Sequence, residues 1–409
     1  MKIIHTSDWH LGARLHDVSR EEEHRNFLEW LVTLVEAEHP DALVISGDIF
    51  DTRQPSAAAQ KLYCDFLARV GGGGLCQRVV VIAGNHDSQA LLESAKEPLA
   101  CIRVVVSASF DANNPALLAV PVKNADGSVG LVIGAIPFMN NAELANLGNE
   151  GNPEEEREVR VRRGFERSYA LALQSAKAVA ATAPVVLTGH CYLAGSRLSD
   201  SKSERAMANV GGLGGFDAAA MGTADYVALG HLHQPQCVGG KETIAYSGAP
   251  LAMSFAEAGQ RKYVNVVTFG TRAGDPVTVE KREIPQWALL KQLRGTADEL
   301  RDAVSAERGE ENRKTYLSVQ VTELDGDFSA LVNEFRTILA GRNVLLLFPE
   351  DVRPRQTAGL NGLVEQGVEL ESMTELEMAR MRLQDAGIAN QELDRLLLLV
   401  NDVIEYVNN

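Results

Sequence analysis

Five short apolar runs in this chain stop at polar side chains of the kind that bind metal. "KIIHT" leads into "SDWH" (Asp8, His10), "ALVIS" into "GDIFD" (Asp48, Asp51), and "RVVVI" into "AGNHD" (Asn85, His86, Asp87). Further along, "PVVLTG" ends at His190 and "YVALG" runs into "HLH" (His231, His233). Runs rich in Val, Ile and Leu, bounded by glycine, read as strands with both faces buried. Amphipathic helical patterns lie between the first three, at Glu21–Glu38 and Ala57–Arg69. That alternation predicts an α/β fold with a largely parallel sheet. In such folds sites form where strands hand over to loops, so the polar stops are expected to gather at one end of the sheet.

Carboxylate, imidazole and amide oxygen, with no thiolate among them, suit a borderline-hard divalent cation such as manganese. Residues two apart on a strand share a face. Asp8 with His10, and His231 with His233, are therefore expected to present two ligands each to one side. Gly47, Gly84, Gly189 and Gly230, beside the ligands, fit turns with unusual backbone angles or close approach. The candidates Asp8, His10, Asp48, Asn85, His190, His231 and His233 are too many for one cation and suffice for two, with Asp48 the natural bridge. Two cations ~3.5–4 Å apart clamp a phosphate, activate water and stabilise a leaving oxygen. His86, adjacent to Asn85, is then free to stabilise phosphoryl oxygens or to protonate the leaving group. Each block alone has a structural reading, such as a core histidine or, for Asp8, a helix N-cap. In order and together they meet the criteria of a metal site.

From about Lys281 the texture changes. "ALLKQL", a helix around Thr296–Arg308, "TYLSVQVTE", a helix Phe328–Leu339 and "NVLLLF" predict a small βαβαβ unit. "PEDVRPRQTAGLNG" then reads as a linker. The tail returns to helix, with Ser372 and Glu375 spaced as a capping box and Asn390 as a second N-cap. Leu393, Leu396, Val400, Val403 and Val407 step by three and four, the spacing of a two-helix seam. Leu397, Leu398, Leu399 and Ile404 lie outside that seam and favour a partner surface.

The order D-x-H, G-D-x-x-D, G-N-H-D, G-H and G-H-x-H resembles the calcineurin-like metallophosphoesterase superfamily. "HTSDWHLG", "SGDIFDTRQPS", "AGNHDS", "ADYVALGHLH" and "YSGAPLAMSF" extend the resemblance to its bacterial SbcD family of nucleases. It is strong over residues 1 to about 275 and a matter of layout beyond. The resemblance implies a four-layer αββα sandwich over 1–278 and an α+β capping domain contacting DNA at 279–350. It further implies a linker at 351–371 and a C-terminal helical hairpin at 372–409 that docks on the coiled coil of an SbcC-type ATPase. One manganese would take Asp8, His10, Asp48 and His233, and a second Asp48, Asn85, His190 and His231, with magnesium the alternative metal. His86 would be catalytic. Archaeal relatives carry a second histidine where this chain has Asp51, which leaves the role of Asp51 open beside His86. The family also implies ATP-dependent 3′→5′ exonuclease action on duplex ends, ATP-independent single-strand and hairpin cleavage, service in DNA replication, recombination and repair, and a homodimer through the nuclease domain. The competing reading is a phosphatase or small phosphodiesterase on the same core. Protein phosphatases of the superfamily carry arginines where this chain has Thr52 and Ala83, which weighs against it.

A net charge of −16 argues against a chain that wraps nucleic acid with its own surface. Two divalent cations would bring about +4 to a scissile phosphate, and the ATPase partner would supply the longer basic track. No apolar run approaches the ~20 residues of a membrane span, and no signal peptide pattern opens the chain. Five scattered cysteines without a C-x-x-C pair fit a cytoplasmic protein. The "GGLGGF" loop at 211–216 lacks the Lys-Ser/Thr of a nucleotide-binding loop.

Overall fold

The computed structural model describes residues 1–152, 155–197 and 215–353, with five helical positions of the tail at 380, 383, 393, 396 and 397. The first half runs β1 (Lys2–Thr6), a small hairpin of β2 (Arg14–Leu15) and β3 (Val18–Ser19), α1 (Glu21–Glu38), β4 (Ala42–Ser46), α2 (Ala57–Leu67), β5 (Arg78–Ile82), α3 (Gln89–Ala100) and β6 (Val104–Ser107). There follow β7 (Ala119–Lys123), β8 (Val129–Gly134), α4 (Asn141–Leu147), α5 (Arg157–Val179) and β9 (Val185–His190). After these come β10 (Tyr226–Gly230), β11 (Gln236–Val238) and β12 (Lys241–Tyr246). The chain then returns through β13 (Tyr263–Thr268) and β14 (Thr278–Glu283).

These strands form two six-stranded sheets, ordered β14-β13-β1-β4-β5-β6 and β11-β12-β10-β9-β8-β7. β1, β4, β5 and β6 are parallel, as are β8, β9, β10 and β12, so their C-terminal ends share one edge within each sheet. Both faces of each sheet are buried. Ile3, Val44, Val80 and Ile82 of the first sheet meet Val120, Leu131, Ile133 and Val186 of the second. Ile4, Leu43, Ile45 and Val81 turn the other way, onto Phe27 and Leu31 of α1 and Phe66 of α2. Val132, Val185 and Leu187 of the second sheet pack on Phe165, Tyr169 and Ala172 of α5. Helix, sheet, sheet and helix therefore lie in four layers. Continuous apolar strands are what such double burial requires.

The layers are tied at their edge by Glu38. It closes α1, where a carboxylate opposes the helix dipole, and it binds Lys2 Nζ at 3.1 Å and Arg282 at 2.8 Å. Burial works against its charge, yet the hydrogen bonds from Lys2 and Arg282 outweigh it and hold the carboxyl below its ordinary range. A depressed carboxyl contributes stability above the unfolded value of ~4.3 and loses it as pH falls through the folded value. Glu38→Gln is expected to cost up to about 1 kcal/mol at pH 7. The difference should narrow as pH falls below the ordinary carboxylate range and through the depressed folded value; urea midpoints followed from pH 7 into acid measure it.

The second unit consists of β15 (Ala288–Thr296), α6 (Ala297–Ala306), β16 (Lys314–Glu323), α7 (Phe328–Leu339) and β17 (Val344–Asp351). Its strands are parallel in the order β15-β16-β17. Thr296 and Glu299 form a capping box at the start of α6. Leu300, Val304, Leu331 and Phe335 cover one face of this sheet through Leu317, Val319 and Val321. Towards the first unit, Ala288 and Tyr316 pack with Leu15 and Phe255. His16 stacks on Phe348 at 4.4 Å between ring centroids, which gives that histidine a structural place. The Tyr316 hydroxyl donates to Glu23 Oε1 of the buried Arg20–Glu23 pair at 3.4 Å.

The linker expected at 351–371 lies outside the described residues beyond Arg353, as does most of the helical region at 372–409, including Ser372, Asn390 and the seam from Val400 onward. Leu397, read as lying outside the seam towards a partner surface, is buried within this chain, as is Leu393 of the seam. Among the described residues, no helix is long and apolar enough to cross a membrane.

Candidate metal centre

All five polar stops lie just past the C-terminal ends of parallel strands: Asp8 and His10 after β1, Asp48 after β4, Asn85 and His86 after β5, His190 closing β9, and His231 after β10. The pairs do not share a face by strand alternation, because β1 ends at Thr6 and β10 at Gly230. Instead the backbone turns left-handed at Asp8 (φ 53°), His10 (φ 46°), Asp48 (φ 50°) and His231 (φ 103°). Such φ values cost of order 1–3 kcal/mol each in a non-glycine residue and persist only where the surroundings enforce them. The loops are laced together by Asp8 N–H to Gly47 O (3.0 Å) and His10 N–H to Asp48 O (3.0 Å). Glycine is required at Gly84, where a Cβ would collide with the Asp48 carboxylate.

Asp48 sits at the middle. Its Oδ2 lies 3.6 Å from His10 Nε2 and 3.2 Å from His190 Nε2, and its Oδ1 accepts the His86 main-chain N–H at 2.9 Å. Ligand atoms of Asp8, His10 and His233 lie within 4.8 Å of one another, as do those of Asp8, Asp48 and His190, and those of His10, Asp51 and His86. Asn85 Oδ1 is 3.1 Å from His190 Nε2 and 3.0 Å from His231 Nδ1. Asp51 stands beside His10, with Oδ1 3.4 Å from Nδ1, and its main-chain carbonyl accepts His86 Nδ1–H at 2.8 Å. His86 itself is half-buried and lies 4.9 Å from His10 between ring centroids.

The donor set fits divalent cations on internal evidence. Ser46 O lies 2.8 Å from His190 Nδ1, so that nitrogen carries the proton, and Nε2 then points a lone pair at two oxygens, Asp48 Oδ2 and Asn85 Oδ1. That arrangement needs either a second proton or a cation between them. Without metal the proton answers: burial opposes charge on His190, but Asp48 and Asp8 raise it to about 9. His10 is likewise held at about 9 against burial by Asp51, Asp48 and Asp8, and both its ring nitrogens are buried without a hydrogen bond. Burial and the neighbouring Asp48 hold the Asp8 carboxyl above the usual carboxylate range.

Two features were not legible as functional in the sequence. Asp87 is buried and accepts main-chain N–H groups of Ile49, Phe50 and Gly84, clamping the Asp48 loop to the Asn85 loop. Its adjacency to "GNH" is a signal, but the role depends on pairing across loops. Glu257 and Lys262 form a buried ion pair beside His233 and carry no local motif signal at all.

Residues 1–235 match the calcineurin-like phosphoesterase family. The SbcD component of the SbcCD nuclease of Escherichia coli K12 is 34% identical over 300 residues, covering 72% of this chain and 71% of that protein. The chain belongs to the SbcD family of calcineurin-like phosphoesterases. Its Bacillus subtilis relative of the same name is 37% identical over 275 residues, 65% of this chain and 66% of that one. A Rhodobacter capsulatus member is 30% identical over 371 residues, 87% of this chain and 89% of that one. At that length the SbcD likeness must take in much of the β15–β17 unit as well as the two-sheet core.

Proposed function

We propose that this chain is the nuclease subunit of an SbcC–SbcD-type complex, hydrolysing DNA phosphodiesters with two divalent cations, preferably manganese. The observation that carries the reading is the central carboxylate: Asp48 Oδ2 stands within 3.6 Å of imidazoles from both clusters. Asp8, His10, Asp48 and His233 would hold one cation, and Asp48, Asn85, His190 and His231 the other. When bound, such a pair supplies Lewis acidity that grips a phosphate and acidifies water.

The chain's own groups do the rest. Asp51 O fixes His86 with its proton on Nδ1, which leaves Nε2 for the substrate. In its imidazolium form Nε2–H donates to the phosphoryl oxygens or protonates the leaving oxygen. The Asp51 carboxylate faces His10 Nδ1 at 3.4 Å and its carbonyl holds His86, so Asp51 acts as a positioning group for both histidines rather than as a proton donor to substrate. The β15–β17 unit, packed against the loop that follows Asp8 and His10, is the capping domain in this reading. Helices in 372–409 would dock on the ATPase coiled coil, and a second copy would pair through the nuclease domain. The name of the relatives supports a two-component nuclease.

A manganese-titrated assay on single-stranded, blunt and hairpin DNA, with and without the ATPase and ATP, tests the proposal. Metal-dependent cleavage of single strands and hairpins without ATP, and of duplex ends only with it, is expected. Intact DNA alongside a hydrolysed phosphomonoester would overturn it in favour of a phosphatase.

A further inference from the structure

Each of three histidines at the centre has its second ring nitrogen against an oxygen of the protein. For His190 it is Ser46 O, for His10 the Asp51 carboxylate, and for His86 the Asp51 carbonyl. For His233 the matching oxygen belongs to Glu257, whose Oε1 lies 3.5 Å from His233 Nδ1. Glu257 closes a short turn, Phe255–Glu257, whose first residue packs on the second unit. Its other oxygen binds Lys262 Nζ at 2.5 Å, and both side chains are wholly buried. Lys262 spends its remaining donors on His233 O (3.1 Å) and Gln260 Oε1 (3.4 Å). The lysine thus grips both the carboxylate and the main chain of the histidine it serves.

A buried ion pair seldom adds net stability over an apolar pair of the same size. This one also leaves Glu257 Oε1 buried without a hydrogen bond, 3.5 Å from His233 Nδ1. Stability is therefore a poor reason for its presence beside a candidate metal ligand. Ligand histidines characteristically donate their second N–H to a carboxylate or carbonyl, which fixes tautomer and ring direction and raises ligand basicity.

We infer that Glu257, locked by Lys262, is a positioning residue that sets the tautomer and aim of His233 towards the cation it would share with Asp8 and His10. The inference rests on the two-cation reading above. Calorimetric titration of the full chain with manganese alone, without DNA, tests it in wild type and in Glu257→Gln/Lys262→Gln, which replaces the charged pair by a neutral one. The wild type should show two sites, and the variant should weaken one of them by about 10–100-fold while leaving the other unchanged. A metal-free melt reports folding. If the double variant does not fold, Glu257→Asp keeps the lysine's counter-charge while withdrawing the carboxylate, and the same selective loss is expected. Two unchanged sites, or equal loss at both, in a folded variant overturns the positioning role. A wild type that binds no manganese overturns the two-cation reading itself, and this role with it.

Discussion

Asp48→Ala should reduce metal-dependent DNA hydrolysis by at least ~10⁴-fold, about 5.5 kcal/mol of transition-state stabilisation at ~1.36 kcal/mol per decade. Asp48 Oδ2 lies 3.6 Å from His10 Nε2 and 3.2 Å from His190 Nε2, within reach of an imidazole of each cluster, and Asp8 contributes ligand atoms to both clusters beside it. Alanine removes the bridge proposed for Asp48 and also the acceptor for the His86 N–H, which orders the loop carrying Asn85. Manganese stoichiometry, measured by elemental analysis after gel filtration, should fall from two to at most one. Asp48→Asn separates these losses, because its amide oxygen still accepts the His86 N–H while the bridging charge is gone. It should retain the loop, shown by an unaltered metal-free melt, and still lose the second manganese. Two cations retained in either variant would mean that Asp48 is not the bridge.

The strands that place this centre were readable because they are buried on both faces. "ALVIS" and "RVVVI" are apolar but for an end residue, "KIIHT" adds only the buried His5 and Thr6 to its apolar pair after Lys2, and the three appear as β4, β5 and β1. Edge strands such as β14, whose sequence "TVEKRE" is mostly charged and largely exposed, carry no such run. The gathering of polar stops at one sheet edge also followed from the parallel order. What alternation could not supply was the way the pairs converge. Asp8 and His10 lie beyond the strand and are aimed by left-handed backbone, which depends on main-chain bonds to Gly47 and Asp48 in a loop distant along the chain. Glu257 and Lys262 were hidden for the same kind of reason. A Glu and a Lys five apart in a polar loop read as a solvated surface pair, and only the fold buries them beside His233. Tertiary pairing, rather than local pattern, decides such roles.

His86→Ala should separate catalysis from metal binding. Its imidazole groups with His10 and Asp51 rather than with Asp8, Asp48 or His190, lies 4.9 Å from His10 by ring centroid, and has its Nδ1 committed to Asp51 O. Alanine preserves the main-chain N–H that Asp48 Oδ1 accepts, so the Asp48 carboxylate keeps its orientation. Manganese titration should therefore still find two sites at wild-type affinity. Removing a positioned proton donor costs about 10²–10⁴-fold in turnover, and the loss should fall on kcat with little change in the DNA concentration needed for half-maximal rate. A phosphodiester with a good leaving group, such as a nitrophenyl ester, needs no proton at its departing oxygen. It should recover much of the deficit if His86 serves the leaving group, and none if His86 stabilises the phosphoryl oxygens instead. Loss of a cation in His86→Ala would overturn this division of labour and make His86 a ligand.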